Sequence, residues 1–228
     1  MKTPLLLAVA MLLTPITYTA TAQTTKKNTQ TVSGNLSLKT TMSNTHVLLP
    51  GSGLLQVAID IEASAKARAQ RLPMNLALVI DRSGSMRGDK MTYTLQAAMH
   101  LVRQLGENDT LSIVSYSDDV RIDLHAQRVT VEVQQAAMAA IERIRAGGST
   151  NLSGGLMRGQ NEVQRYLKPG QVNRVILMSD GLANRGITNT KRLAQEAQRG
   201  AQRGISVTTM GVGIDYNEDL MTSVADHA

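Results

Sequence analysis

From Met74 onward, short apolar runs alternate with longer stretches whose apolar residues recur every three or four positions. The short runs at residues 76–80, 110–116, 172–178 and 205–212 read as strands. The third is nearly continuous in apolar residues, the pattern of a parallel strand covered on both faces. Between them, Met91, Leu95, Ala98, Val102 and Leu105 share one helical face, and Gly106 stops it. Val133, Ala137, Ile141 and Ile144 mark a second helix, ending at Gly147-Gly148. Leu156, Val163 and Leu167 mark a third, ending before Pro169-Gly170. Residues 190–203 form a fourth, closed by Gly204, and residues 217–226 begin another. The link Ser117-Asp118-Asp119 joins 110–116 to a further strand at 120–124. So short a connection makes an antiparallel hairpin. The reading is an α/β fold: a doubly wound, mostly parallel open sheet with one antiparallel edge strand.

The pattern upstream is different. Residues 55–62 alternate apolar and polar, as do residues 35–39, and Pro50-Gly51-Ser52-Gly53 between them is a turn. Residues 35–72 therefore read as a short β lead-in followed by a basic connector. Residues 23–34 are Thr, Gln, Asn and Lys, a polar flexible lead. Residues 1–22 carry Lys2, a short apolar run, and Ala20-Thr21-Ala22 before Gln23. That is the layout of a secretory signal peptide. The expected location is exported, periplasmic or secreted, with an uncleaved leader as a possible membrane tether.

Composition sharpens this picture. The 228 residues contain no Phe, no Trp and five Tyr, so the core rests on aliphatic residues and the 12 Met. There is no Cys, which removes disulfides, thiolate chemistry and a lipid anchor on cysteine. The formal net charge is +6, and Lys2, alone charged within residues 1–22, leaves +5 on a processed chain. The Lys and Arg are scattered and lack interleaved aromatics, so no nucleic-acid partner is expected.

In such a sheet, ligands bind beyond the carboxyl ends of the strands, where the winding reverses. The loop after residue 80 is Asp81-Arg82-Ser83-Gly84-Ser85, and the loop after residue 178 is Ser179-Asp180-Gly181. Gly147-Gly148-Ser149-Thr150-Asn151 joins two helices. All three loops are small, hydroxyl-rich and glycine-rich. The donors on offer are carboxylates and hydroxyls, and His46, His100, His125 and His227 are scattered. Hard oxygen donors select Mg²⁺, Mn²⁺ or Ca²⁺ over zinc or copper. Each residue also has a plainer role. Asp81, Ser83 or Ser85 could cap a following helix, and Thr150 or Asn151 another. Asp180-Gly181 could be only a turn. Asp118-Asp119 reads as a hairpin turn, and Asp215, Glu218 and Asp219 as a favourable helix start.

The sequence DRSGSM resembles the D-x-S-x-S stretch of the von Willebrand factor type A (VWA) domain and the integrin inserted domain. There it belongs to a metal-ion-dependent adhesion site. GGSTNLSGGL looks like that family's threonine loop, LMSDGLAN like its second aspartate loop, and GVGIDYNEDLM like the stretch after its fifth strand. The likeness covers about residues 74–228 in order and spacing, within a domain spanning 73–228. It implies a site of Asp81, Ser83, Ser85, Thr150 and Asp180 holding Mg²⁺, with Mn²⁺ or Ca²⁺ as alternatives. The hydroxyls of Ser83, Ser85 and Thr150 would bind the ion, and the two aspartates would act directly or through water. The open position would take a carboxylate from a protein or peptide partner. Family members continue with a Gly-rich turn and a last strand. By that comparison this domain, ending at Asp226-His227-Ala228, is truncated.

The resemblance makes the protein an exported interaction module rather than an enzyme. A second reading is the soluble part of a membrane-associated protein, since bacterial relatives are also described as calcium-activated chloride channel homologues. A third is a metal-dependent phosphohydrolase of the haloacid dehalogenase type. That chemistry needs a carboxylate two residues beyond Asp81 as general acid, and Ser83 stands there.

Overall fold

The computed structural model describes residues 6–9, 36–42, 57–63 and 71–228. The chain divides into two compact units, Met1–Arg71 and Leu72–Ala228. In the first unit, β1 (Leu6–Val9), β2 (Leu36–Met42) and β3 (Val57–Ala63) form an antiparallel sheet in the order β1-β3-β2. The two alternating segments of the lead-in are therefore paired, Leu36 opposite Ala63 and Met42 opposite Val57. The polar lead at 23–34 and the turn at 50–53 lie outside the described residues. Of the leader, only Leu6–Val9 is described, and it runs as a strand beside β3.

The second unit begins with β4 (Met74–Asp81), α1 (Asp89–Gln104), β5 (Thr110–Tyr116) and β6 (Val120–Arg128). It continues with α2 (Val131–Glu142), α3 (Leu152–Gln164) and β7 (Val172–Ser179). It ends with α4 (Thr190–Ala201), β8 (Ser206–Gly211) and α5 (Glu218–Asp226). The sheet order is β6-β5-β4-β7-β8. All pairs are parallel except β5 with β6, so the expected antiparallel strand stands at one edge. The winding leaves β4 for β5 on one side and returns to β7 on the other. This puts the reversal at the carboxyl ends of β4 and β7.

The period of two along β4 divides the core. Leu76, Leu78 and Ile80 face α1 and α2, where Ala98, Val102, Ala137 and Ile141 complete one cluster. Ala77 and Val79 face the other way, toward Leu156 and Val163 of α3, Leu193 of α4 and Leu220 of α5. Each fully buried aliphatic side chain here contributes about 1.5–3 kcal/mol relative to exposure. Helix α3 lies unusually close to the sheet because it presents glycine. A Cβ on Gly155 would fall 2.3 Å from a ring carbon of Tyr116, and one on Gly159 would fall 2.4 Å from a methyl of Val79.

Some boundaries differ from the sequence expectation. Strand β6 continues past residue 124 to Arg128. A register shift opposite Leu111–Val114 breaks the alternation there, yet the ladder resumes with Thr110 beside Arg128. Helix α2 stops at Glu142, before Gly147, through tightened turns in which the Arg143 and Ile144 N–H groups bond three residues back. Helix α3 closes at Gln164 in the same way, with Tyr166 and Leu167 in the tightened turn.

Candidate functional site

Four loops meet at the carboxyl ends of β4, β5 and β7, and the backbone itself ties them together. Gly84 N–H donates to the Gly148 carbonyl at 2.9 Å, and Gly147 N–H donates to the Arg82 carbonyl at 2.7 Å. Arg82 N–H reaches the Tyr116 carbonyl, and Asn151 N–H reaches the Ser117 carbonyl. The loop carrying Asp81 is thereby fixed both to the end of β5 and to the loop carrying Thr150. Gly148, with φ 83°, turns in the left-handed region that favours glycine. A Cβ there would strike the Asp118 carboxylate.

Asp81 closes β4 and is fully buried. Its Oδ1 accepts the Ser83 N–H at 2.8 Å. Its Oδ2 accepts the Ser179 hydroxyl and, at 3.2 Å, the Tyr116 hydroxyl. Burial raises the Asp81 pKa above the ordinary carboxylate value. The bonds from Ser179 and Ser83 oppose that rise, and the neighbouring charge of Asp180 adds to it. The Tyr116 hydroxyl is pushed well up, first by burial and then by the Asp81 charge.

Ser83 is buried, Ser85 is exposed, and their hydroxyl oxygens lie 3.1 Å apart. The loop end thus faces solvent on the Ser85 side. Thr150 is buried, held by its N–H on the Asn184 side-chain oxygen at 2.8 Å, while its carbonyl accepts from Asn184 and Arg185. Asp180, also fully buried, follows β7. Its Oδ1 accepts the Leu182 N–H at 3.3 Å, and its carbonyl accepts the Asn217 N–H.

The plainer capping reading holds for Asn151 but not for Asp81, Ser83, Ser85 or Thr150. Asn151, not Thr150, caps α3, and Asn217 caps α5. No side-chain cap bond is made at α1, where Gly88 stands. Asp81 caps no helix; it accepts from Ser83, Ser179 and Tyr116. The structure therefore brings the loops of Asp81, Ser83, Ser85, Thr150 and Asp180 to one end of the sheet.

Several participants escaped the sequence reading. Ser179 and Tyr116 hold Asp81. Tyr116 lies opposite Asp81 in the parallel register, which the sequence reveals only once β4 and β5 are aligned. Asp118 and Asp119 do form the expected turn, with Ser117 N–H on the Asp119 carbonyl, but their carboxylates also brace the site. Asp118 accepts from Ser149 N–H and from Arg185, both at 3.2 Å. Asp119 pairs with Arg82 and Arg121, which hold its carboxyl down at about 2. Lys90 sits with its ammonium 3.3 Å from Asp180 Oδ2 and 3.3 Å from Asp215 Oδ1. Partial burial works against that ammonium, but the two carboxylates raise its pKa overall. Asp215 is thus a partner of Lys90 as well as a neighbour of the α5 start.

The donor set can be tested against a cation. Among the described residues there is no cluster of three or more His, Cys, Asp or Glu side chains, so a nitrogen or thiolate site has no material. What is present is a pair of fully buried carboxylates with adjacent hydroxyls and a single ammonium on one of them. Buried carboxylates in excess of their cations call for positive charge. The residues fit a hard divalent ion.

A mostly parallel, doubly wound sheet with hydroxyl and carboxylate side chains at its switch point defines a Rossmann-like α/β domain. The family model described as von Willebrand factor type A domain matches residues 75–228, and the chain belongs to that family. Its members are protein-interaction modules, for the most part without enzymatic activity. The Escherichia coli (strain K12) protein YfbK is 33% identical over 170 residues, covering 74% of this chain and 29% of its own. The chain thus spans less than a third of the length of that relative. The solved von Willebrand factor type A structure from Catenulispora acidiphila superposes with a TM-score of 0.59 at 19% identity, covering 75% of this chain and 39% of its own. Proximal thread matrix protein 1 from the mussel byssus, with a zinc-occupied MIDAS motif, superposes with a TM-score of 0.58 at 20% identity. That match covers 68% of this chain and 42% of its own. At these identities the likeness is one of fold. Among the described residues no helix is long and apolar enough to cross a membrane.

Proposed function

We propose that the second unit is a metal-dependent protein-binding module whose site is Asp81, Ser83, Ser85, Thr150 and Asp180. The observation that carries it is the buried carboxylate pair beside the Ser83 and Ser85 hydroxyls, held in place by loop-to-loop hydrogen bonds. The ion in this reading is Mg²⁺, with Mn²⁺ or Ca²⁺ as alternatives of the same hard-oxygen preference. The zinc-occupied motif of the mussel protein supports a divalent ion in this fold. Bound there, such an ion would supply a positive charge with an open position for a carboxylate on a protein or peptide partner.

The chain's own residues prepare that capture. Ser179 and Tyr116 orient Asp81 through its Oδ2. The hydrogen bond of Thr150 to Asn184 fixes the threonine loop, and Ser85 keeps one side open to solvent. No residue is placed as a proton donor two positions beyond Asp81, which supports binding over hydrolysis. Calorimetric titration of the purified chain with Mn²⁺ should show one site of micromolar-to-millimolar affinity. Absence of any heat or competition with Mg²⁺ would overturn the metal reading.

The same reading makes the protein exported, through the leader at residues 1–22. Cleavage after Ala22 would remove β1 and leave β2 paired with β3. Protein recovered from the periplasm of a Gram-negative host should begin at Gln23. An intact Met1 on soluble cytoplasmic protein would contradict export.

A further inference from the structure

Lys90 has no part in the resemblance described above, yet its ammonium reaches both the buried Asp180 and Asp215 in the loop after β8. Its ammonium is equidistant from the two carboxylates, at 3.3 Å each. These partners differ greatly in setting. The Asp180 side chain has no exposure, the Asp215 side chain is 71% exposed, and that of Lys90 is 21% exposed. The stem of Lys90 is confined as well, since a Cβ on Gly213 would fall 2.5 Å from its Cε. Lys90 is therefore held beside the carboxylate pair rather than sampling solvent. Of the other cations on this loop, Arg82 is matched by Asp119, and the Arg87 guanidinium stands over Gly147, 3.9 Å from where a Cβ there would lie.

The charges then add simply. Asp215 is largely exposed and its charge is screened by solvent; with Asp81 and Asp180 ionised, these two and Lys90 carry one surplus negative charge. A divalent ion converts this to one surplus positive charge. Without Lys90 the loaded site would be neutral and would have little attraction for an anion. Lys90 repels the ion and attracts the partner, so its two effects have opposite signs.

Resting on the metal reading, we propose that Lys90 sets this trade. It weakens cation binding while leaving the loaded site with the surplus positive charge that draws an anionic partner group. Asp215 gives the ammonium a second seat when Asp180 turns to the ion. Lys90 acts as a positioning and charge-setting residue through Asp180.

The test uses the whole chain and two probes, Mn²⁺ alone by calorimetry and acetate added to the Mg²⁺-loaded protein, followed by amide shifts of Ser83, Ser85 and Thr150. Lys90→Met keeps the stem and removes the charge. It should tighten Mn²⁺ roughly three- to tenfold and weaken acetate by a similar factor, the scale of one partly screened charge. Lys90→Arg should stay near wild type in both. Asp215→Asn, at an exposed position, should act in the opposite direction on Mn²⁺, because the ammonium then rests wholly on Asp180. It keeps the test open should Lys90→Met fail to fold. A Lys90→Met variant that weakens both probes, or changes neither, overturns the proposal while leaving the metal site standing. Wild type that binds no Mn²⁺ overturns the metal reading and this proposal with it.

Discussion

Thr150→Ala abolishes cation-dependent binding of an acidic partner and leaves the fold intact. This is the outcome expected for a partner recovered by pull-down with the exported domain in Mg²⁺. The threonine hydroxyl is a proposed ligand, whereas its backbone bonds to Asn184 and Arg185 survive the substitution. Losing a buried charged contact at an interface costs roughly 2–5 kcal/mol, a fall of about 30-fold or more. Chelator should give the same fall, and Mg²⁺ or Mn²⁺ should restore wild type only. Equal binding by Thr150→Ala in chelator would remove the adhesion-site mechanism even with the fold correct. Asp81→Ala should abolish binding too, but less cleanly. Asp81 accepts three hydrogen bonds from Ser83, Ser179 and Tyr116. Its loss strands buried donors at about 1–3 kcal/mol apiece, so a lower melting temperature should accompany the lost binding.

The second large effect is on stability. Gly155→Val should destabilise the chain by about 3 kcal/mol or more. Its first added carbon already falls 2.3 Å from a carbon of the Tyr116 ring, and that ring is fixed by its hydroxyl on Asp81. Valine gains only a fraction of a kcal/mol in helix propensity over glycine, too little to offset the overlap. For a domain of this size, the melting temperature should drop by roughly 6–12 °C, as followed by circular dichroism. A melt unchanged within about 2 °C would show that α3 can lift off the sheet freely.

The sheet was legible because its physics is periodic. The apolar runs ending at Ile80 and Met178 required burial on both faces, and that placed β4 and β7 centrally with their loops at the switch point. The antiparallel edge followed from the three-residue link at Ser117–Asp119, which is too short for a crossover. The five candidate ligands were legible because small hydroxyl and carboxylate residues stood at three such loops in register. Other features depend on contacts across long sequence separations. Tyr116 reaches Asp81 only after β4 and β5 pair. Lys90 meets Asp180 across the loop after β7, and Asp118 clamps Ser149 and Arg185 from the hairpin. No local pattern encodes such meetings. The extension of β6 was hidden for a related reason, since a register shift breaks the alternation that a strand reading relies on.

Tyr116 also gives the site a colour of its own. A chain with no Trp has an ultraviolet spectrum made by its tyrosines, five in all. Among the described residues Tyr116 is the fully buried one, whereas Tyr93 and Tyr166 face solvent. Its phenol donates to the carboxylate at the heart of the proposed site, so a charge arriving beside Asp81 alters the field along that O–H bond. The near-ultraviolet absorption and emission of Tyr116 therefore read the state of Asp81 directly, with no label attached. In most proteins of this size, tryptophan would drown that signal.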